Sequence, residues 1–217
     1  PESFTVDSWE TLAPYFEELE SRPLSTVIKL EKWLKDASEL EAVISEEASW
    51  RQIRMTCDTE DPALTASFEF FMKKIQPMIQ PVADRLNRKL IDCPITQELD
   101  TNKYFTFLRN IRKNIELFHE SNVPIQSELN VAQQEYGIIA GKMSIEVNGQ
   151  EYTLQQASKF LEDPDRSLRE SVYQKIAARR AQDRDKLETL FELLLDKRQQ
   201  LAINAGFTDY RAYRFAE

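Results

Sequence analysis

Glycine is scarce in this chain. Four occur in 217 residues, Gly137, Gly141, Gly149 and Gly206, so long stretches lack the residue that most readily bends a backbone or ends a helix. Cysteine is scarcer: Cys57 and Cys93 are the two. They fall on separate expected helices, which excludes a CxxC redox pair and a disulfide framework, and both are read as plain buried or half-buried thiols. Histidine occurs once, as His119. Histidine is the usual base near neutral pH and the commonest zinc ligand, so a single copy argues against a self-contained hydrolase and against a protein-ligated catalytic zinc. His119-Glu120 resembles half of HExxH, but Val123 stands where the second histidine belongs. It is read as a helix-end residue near Glu116 and Glu120.

Other absences narrow the function further. No apolar run approaches the ~18 residues of a membrane span. The start, Pro1-Glu2-Ser3-Phe4, has neither the basic segment nor the apolar core of a secretory signal, so a cytoplasmic location without a membrane partner is expected. Basic residues are outnumbered, 28 Lys and Arg against 37 Asp and Glu for a formal charge of -9. That balance makes nucleic acid a poor partner. No Gly-rich phosphate loop, serine nucleophile elbow or EF-hand spacing occurs. The acidic residues Glu39, Glu41, Glu46 and Glu47 are read as a solvated helix face. Arg179, Arg180, Arg184 and Lys186 alternate with Asp183, Asp185 and Glu188, which points to ion pairs along a helix rather than to a phosphate patch.

Helix-forming residues are abundant: Leu, Glu, Lys, Ala and Gln fill the long intervals between glycines. Asp7 is the expected N-cap of a first helix, with Glu10 reaching back in a capping box. Pro23 and Ser25 open a longer helix through Cys57, with Leu24, Val27, Ile28, Leu30, Leu34, Ala37, Leu40, Val43, Ile44 and Ala48 as one buried stripe. Pro62 restarts a helix, Pro77 and Pro81 interrupt or kink the helical stretch after it, and Pro94 ends that stretch. A further helix is expected from Asn102 to Ser121 with Phe105, Leu108, Ile111, Ile115 and Phe118 inward, and another from Pro124 to about Gly141. One β signal stands out, Ile145 and Val147 alternating with polar neighbours before Asn148-Gly149, whose positive φ angles suit a tight hairpin. Next come a short helix, a turn at Asp163-Pro164 and one long helix from about Arg166 to Ala205. Trp9, Trp33 and Trp50 are read as core or subdomain anchors. The expected class is therefore mainly α: an elongated helical bundle with long antiparallel helices and one small β-hairpin at about 143–154.

Three segments carry a family resemblance. The hairpin from Ile145 to Leu154 is similar to a segment of the oligoendopeptidase F branch of the thimet-oligopeptidase family, HExxH zinc metallopeptidases. Asp163, Arg166, Arg169 and Tyr173 resemble its D-x-x-R-x-x-R-x-x-x-Y stretch. Arg198, Ala202, Gly206-Phe207 and Tyr210 resemble R-x-x-x-A-x-x-x-G-[FY]-x-x-Y at the end of a long helix. The resemblance implies an N-terminal helical portion of a zinc-dependent oligopeptidase, forming wall and roof of a channel for short peptides. It implies a domain division of 1–122 as helical arm, 123–205 as helical lobe with the hairpin, and 206–217 as the start of the catalytic domain. None of the matched positions is catalytic in that family, so no catalytic, cofactor-binding or metal-binding residue is assigned here. Zinc belongs to the full-length parent through ligands outside this chain, and the chain alone is expected to be inactive. Its partners would be short peptide substrates and the remainder of its own catalytic domain, beyond Glu217. The alternative is a self-contained helical adaptor that binds a protein through its Trp and Tyr surface.

Overall fold

The structure, a computed structural model, describes residues 4–216. The start Pro1-Glu2-Ser3 and the expected continuation at Glu217 lie outside the described residues. In chain order the elements are α1 (Trp9–Ser21), α2 (Val27–Cys57), α3 (Pro62–Phe70), a π-helical turn (Phe71–Ile75), α4 (Gln76–Asp92), a 3-10 turn (Pro94–Glu98) and α5 (Thr101–Leu117). Then come α6 (Asn122–Gly141), β1 (Ser144–Val147), β2 (Gln150–Thr153), α7 (Leu154–Ala157), a 3-10 turn (Ser158–Glu162), α8 (Arg166–Gln182), α9 (Arg184–Asn204) and α10 (Tyr210–Ala216). The fold is mainly α with one small hairpin. It divides into two compact units, one running through Glu128 and including the chain from Arg198 onward, the other Leu129–Lys197.

In the first unit, Val6, Leu12, Phe16, Leu30, Trp33, Phe71, Ile75, Leu86, Leu90 and their neighbours form one buried cluster. α1 begins one residue later than expected: Ser8, extended at φ -158° and ψ 170°, is the N-cap residue, and it makes no side-chain capping bond. Tertiary contacts set that start, because Val6 is fully buried and its carbonyl accepts from Arg51 Nη2 at 2.9 Å. α2 also starts late. Thr26 is its cap, accepting from Lys29 N, so Pro23 and Ser25 stay in the linker. Of the expected stripe, Leu30 is buried but Ile28 is 79% exposed; Trp33, outside that stripe, is buried and donates its indole N–H to Leu19 O at 2.9 Å. Trp9 stacks on Phe16, but Trp50 lies half exposed beneath Arg54 and is no core anchor. Cys57 is exposed rather than buried, because it ends α2 away from the core.

Proline shapes the next stretch. Pro62 stands in the first turn of α3, as expected, and Asp61 caps that helix. Pro77 has no N–H to give the helical ladder, and the turn just before it widens to a π turn in which Gln76 N reaches Phe71 O. α5 ends at Leu117, four residues short of expectation, and Phe105 is 59% exposed while Leu108 and Leu117 are buried. The chain then turns through His119 and enters α6 at Asn122, two residues ahead of Pro124.

The second unit is built on the hairpin. Asn148 at φ 55° and Gly149 at φ 79° make the tight turn, and the strands pair antiparallel with Ile145 opposite Tyr152 and Val147 opposite Gln150. Ile145 and Val147 point into a cluster with Ala157, Val172 and Ile176. A two-stranded hairpin is marginal alone, and here α7 and α8 supply its apolar cover. Thr153 and Gln156 form the capping box of α7, and Asp165 caps α8. The single long helix expected from Arg166 to Ala205 is two helices. Asp183, at φ -102° and ψ 9°, leaves the helical path between α8 and α9. Aspartate favours helix starts over helix interiors, and this one is buried between cations of both helices.

Candidate functional site

The junction of α8 and α9 gathers the densest charge chemistry of the second unit. Asp183, 8% exposed, accepts from Arg179 Nη1 of α8 and from Lys186 Nζ of α9 at 3.3 Å. The Arg179 guanidinium, opposed by burial and helped by Lys186, holds the Asp183 carboxyl below the usual carboxylate range. Arg184 pairs with Glu188 at 2.8 Å. Of the charges read as ion pairs, Arg179, Arg184 and Lys186 find Asp183 and Glu188, while Arg180 and Asp185 form no ion pair among the described residues.

Beside this junction lies a cavity of about 820 Å³ lined by α6, α7, α8 and α9, among them Tyr136, Leu161, Tyr173, Arg180, Phe191 and Leu194. Its size suits a drug-sized ligand or a packed segment of chain, and its wall is mostly apolar. Sequence reasoning missed Tyr136 and Phe191. The signal was present in α9, where Leu187, Leu190, Phe191, Leu193, Leu194 and Leu195 occupy more than one helical face.

The residues that carry the family resemblance have structural roles. Arg169 Nη1 donates to Asp163 O at 2.6 Å and Pro164 O at 3.0 Å, tying the turn before α8 to its first turns. Tyr173 lies on the cavity wall. Ala202 is fully buried, and its carbonyl accepts from Phe207 N at 2.9 Å while Ile203 O accepts from Gly206 N at 3.0 Å. With Gly206 at φ 84°, this is a Schellman stop. Arg198 lies over the Tyr210 ring, 5.8 Å from its centroid. An element not read from sequence accompanies them: buried Asn122 donates to Leu201 O at 3.0 Å and accepts from Asn204 Nδ2 at 2.8 Å, joining the start of α6 to the end of α9. His119 is exposed in the turn before α6, with its carbonyl accepting from Asn122 N at 2.8 Å. Among the described residues, no three His, Cys, Asp or Glu side chains are grouped so as to hold a metal ion. No described helix is long and apolar enough to cross a membrane.

The residues that carry the family resemblance thus sit at the turn before α8, on the cavity wall and at the stop that ends α9. The model of the peptidase M3 N-terminal domain matches residues 2–118, more than half of the chain, and the chain belongs to that family. No curated protein matches. Three solved structures share the fold. A protein assigned as an oligoendopeptidase F has a TM-score of 0.90 at 22% identity, over 98% of this chain and 38% of its own. PZ peptidase A with an inhibitor has a TM-score of 0.90 at 20% identity, over 99% of this chain and 39% of its own. A Bacillus anthracis strain Ames protein assigned as an oligoendopeptidase F has a TM-score of 0.89 at 19% identity, over 99% of this chain and 40% of its own. The chain thus spans well under half the length of these neighbours.

Proposed function

We propose that these residues are the N-terminal helical portion of a zinc-dependent oligopeptidase that hydrolyses short peptides in the cytoplasm. Family membership over residues 2–118, joined to a fold match across nearly the whole chain, carries this reading. In that parent, residues 1–122 form a helical arm, 123–205 a lobe bearing the hairpin, and 206–217 the start of the catalytic domain. By the family resemblance, the metal and the general base are assigned to HExxH and a later Glu beyond residue 217. The role of this part is then to shape the channel wall and roof, and no bond-breaking step is assigned to any residue here.

The test begins with the reading frame past Glu217. An HExxH within the next few hundred residues, chelator-sensitive cleavage of short fluorogenic peptides by the full-length protein, and no cleavage by residues 1–217 are the expected results. A stop codon directly after Glu217, with a monodisperse and inactive monomer, would favour the adaptor reading instead.

A further inference from the structure

The second unit, Leu129–Lys197, carries two apolar stripes on one helix. Leu190 and Leu194 of α9 are buried, at 6% and 9% exposure, as a globular unit requires. One position further round, Phe191 and Leu195 are 57% and 47% exposed. They stand one turn apart and so form a continuous ridge. Phe191 lines the same cavity as Tyr136 of α6 and Tyr173 of α8, which are 59% and 65% exposed. Three half-bare aromatic rings and a leucine leave roughly 400–500 Å² of apolar surface together. That lies toward the upper end of what a monomer shows, and it approximates the apolar share of one side of a standard interface of about 800 Å².

Charge is unbalanced at the same place. Arg179, Arg184 and Lys186 all have carboxylate partners, whereas Arg180, on the cavity wall, makes no ion pair among the described residues. A covering surface that suits this face is therefore apolar with one carboxylate.

We infer that the ridge of Phe191 and Leu195, with Tyr136, Tyr173 and Arg180, is covered in the parent protein by polypeptide beyond residue 217, which sets apolar side chains on the rings and an Asp or Glu opposite Arg180. The inference rests on the reading given under Proposed function. The fold neighbours, each matched over only 38–40% of its length, have enough further chain to supply the cover. A segment of the same polypeptide also meets the face at high effective concentration, which a second copy does not.

Hydroxyl-radical footprinting of the full-length protein, read by mass spectrometry at Tyr136 and Tyr173, tests this, with the urea-unfolded protein as the fully reactive reference. Protection of both tyrosines by tenfold or more is expected. Phe191→Asp should raise their labelling several-fold while Phe191→Leu leaves it unchanged, and Arg180→Glu should raise it with little loss of helical circular dichroism. If Phe191→Asp unfolds the protein, the wild-type protection and Arg180→Glu still decide. Tyrosines that label in the folded parent as fast as in urea overturn the inference while leaving the peptidase reading intact. Protection that disappears on dilution, together with a dimer in sedimentation, overturns it in favour of a second copy. A reading frame with no catalytic continuation overturns both.

Discussion

Lys89 Nζ donates to the carbonyls of Leu19, Glu20 and Arg22 at 2.7–2.8 Å, gathering the end of α1 onto one cation, with Leu19 O shared with the Trp33 indole. Burial, reinforced by the nearby Arg22 charge, pushes this ammonium below the usual lysine range, yet three acceptors converge on it. Lys89→Met keeps the apolar stem and leaves the Glu20 and Arg22 carbonyls without this donor while Leu19 O keeps Trp33, at about 2–3 kcal/mol, measurable as a lower urea midpoint. Two glycines separate backbone conformation from space. A Cβ added at either Gly137 or Gly206 would meet no atom within 4 Å, but only Gly206 has positive φ, at 84°. Gly206→Ala is expected to destabilise by about 1 kcal/mol through strain. Gly137→Ala, inside α6, should stabilise by about 0.5–1 kcal/mol through helix propensity, and thermal melts of the two variants should shift in opposite directions.

At the scale of elements, the hairpin depends on cover more than on its own ladder. Ile145 and Val147 bury their side chains against Ala157, Val172 and Ile176, while the opposite strand stays largely exposed. Ile145→Ala should cost about 2–4 kcal/mol. Hydrogen exchange should then quicken in β1, β2 and the first turns of α8 before it changes in α4 and α5, which belong to another core. The same scale explains where expectation and structure part. The helix starts at Pro62 and about Arg166 were legible because a first-turn proline and the Asp163-Pro164 turn are local in sequence. The start of α1 and the break at Asp183 were not, since each depends on partners brought in by folding: Arg51 at Val6, and cations of two helices at Asp183.

For the whole molecule, acid is the revealing stress. Glu18 beside Arg22, Glu31 beside Tyr104 and Lys103, and Asp183 beside Arg179 all hold their protons less tightly than ordinary carboxylates. Their native values lie below the unfolded ones. Their contribution is therefore complete above the unfolded values and lost as pH falls through the native ones, so melting temperature should hold near neutrality and decline below about pH 4. Salt should blunt part of this decline, because most of these pairs are solvent-facing. A flat melting profile from pH 6 to pH 3 would contradict that account.

By itself the sequence determined that this protein is mainly helical, that its one hairpin turns at Asn148-Gly149, that Gly206 stops a helix, and that its family is that of the M3 peptidases. The helices, the hairpin and the stop follow from propensity, periodicity and turn chemistry, which act between residues close in the chain, whereas the family was read from motif resemblance. Only the tertiary structure decided that Trp33 is buried while Trp50 is not, that Phe105 and Ile28 face outward, that the last long helix breaks at Asp183, and that Tyr136, Tyr173 and Phe191 share one cavity. An apolar residue on a helix announces that it will be buried against something. Which of several apolar faces meets a neighbour is set by contacts distant in sequence, and for the outward ridge of α9 the inferred neighbour lies beyond residue 217.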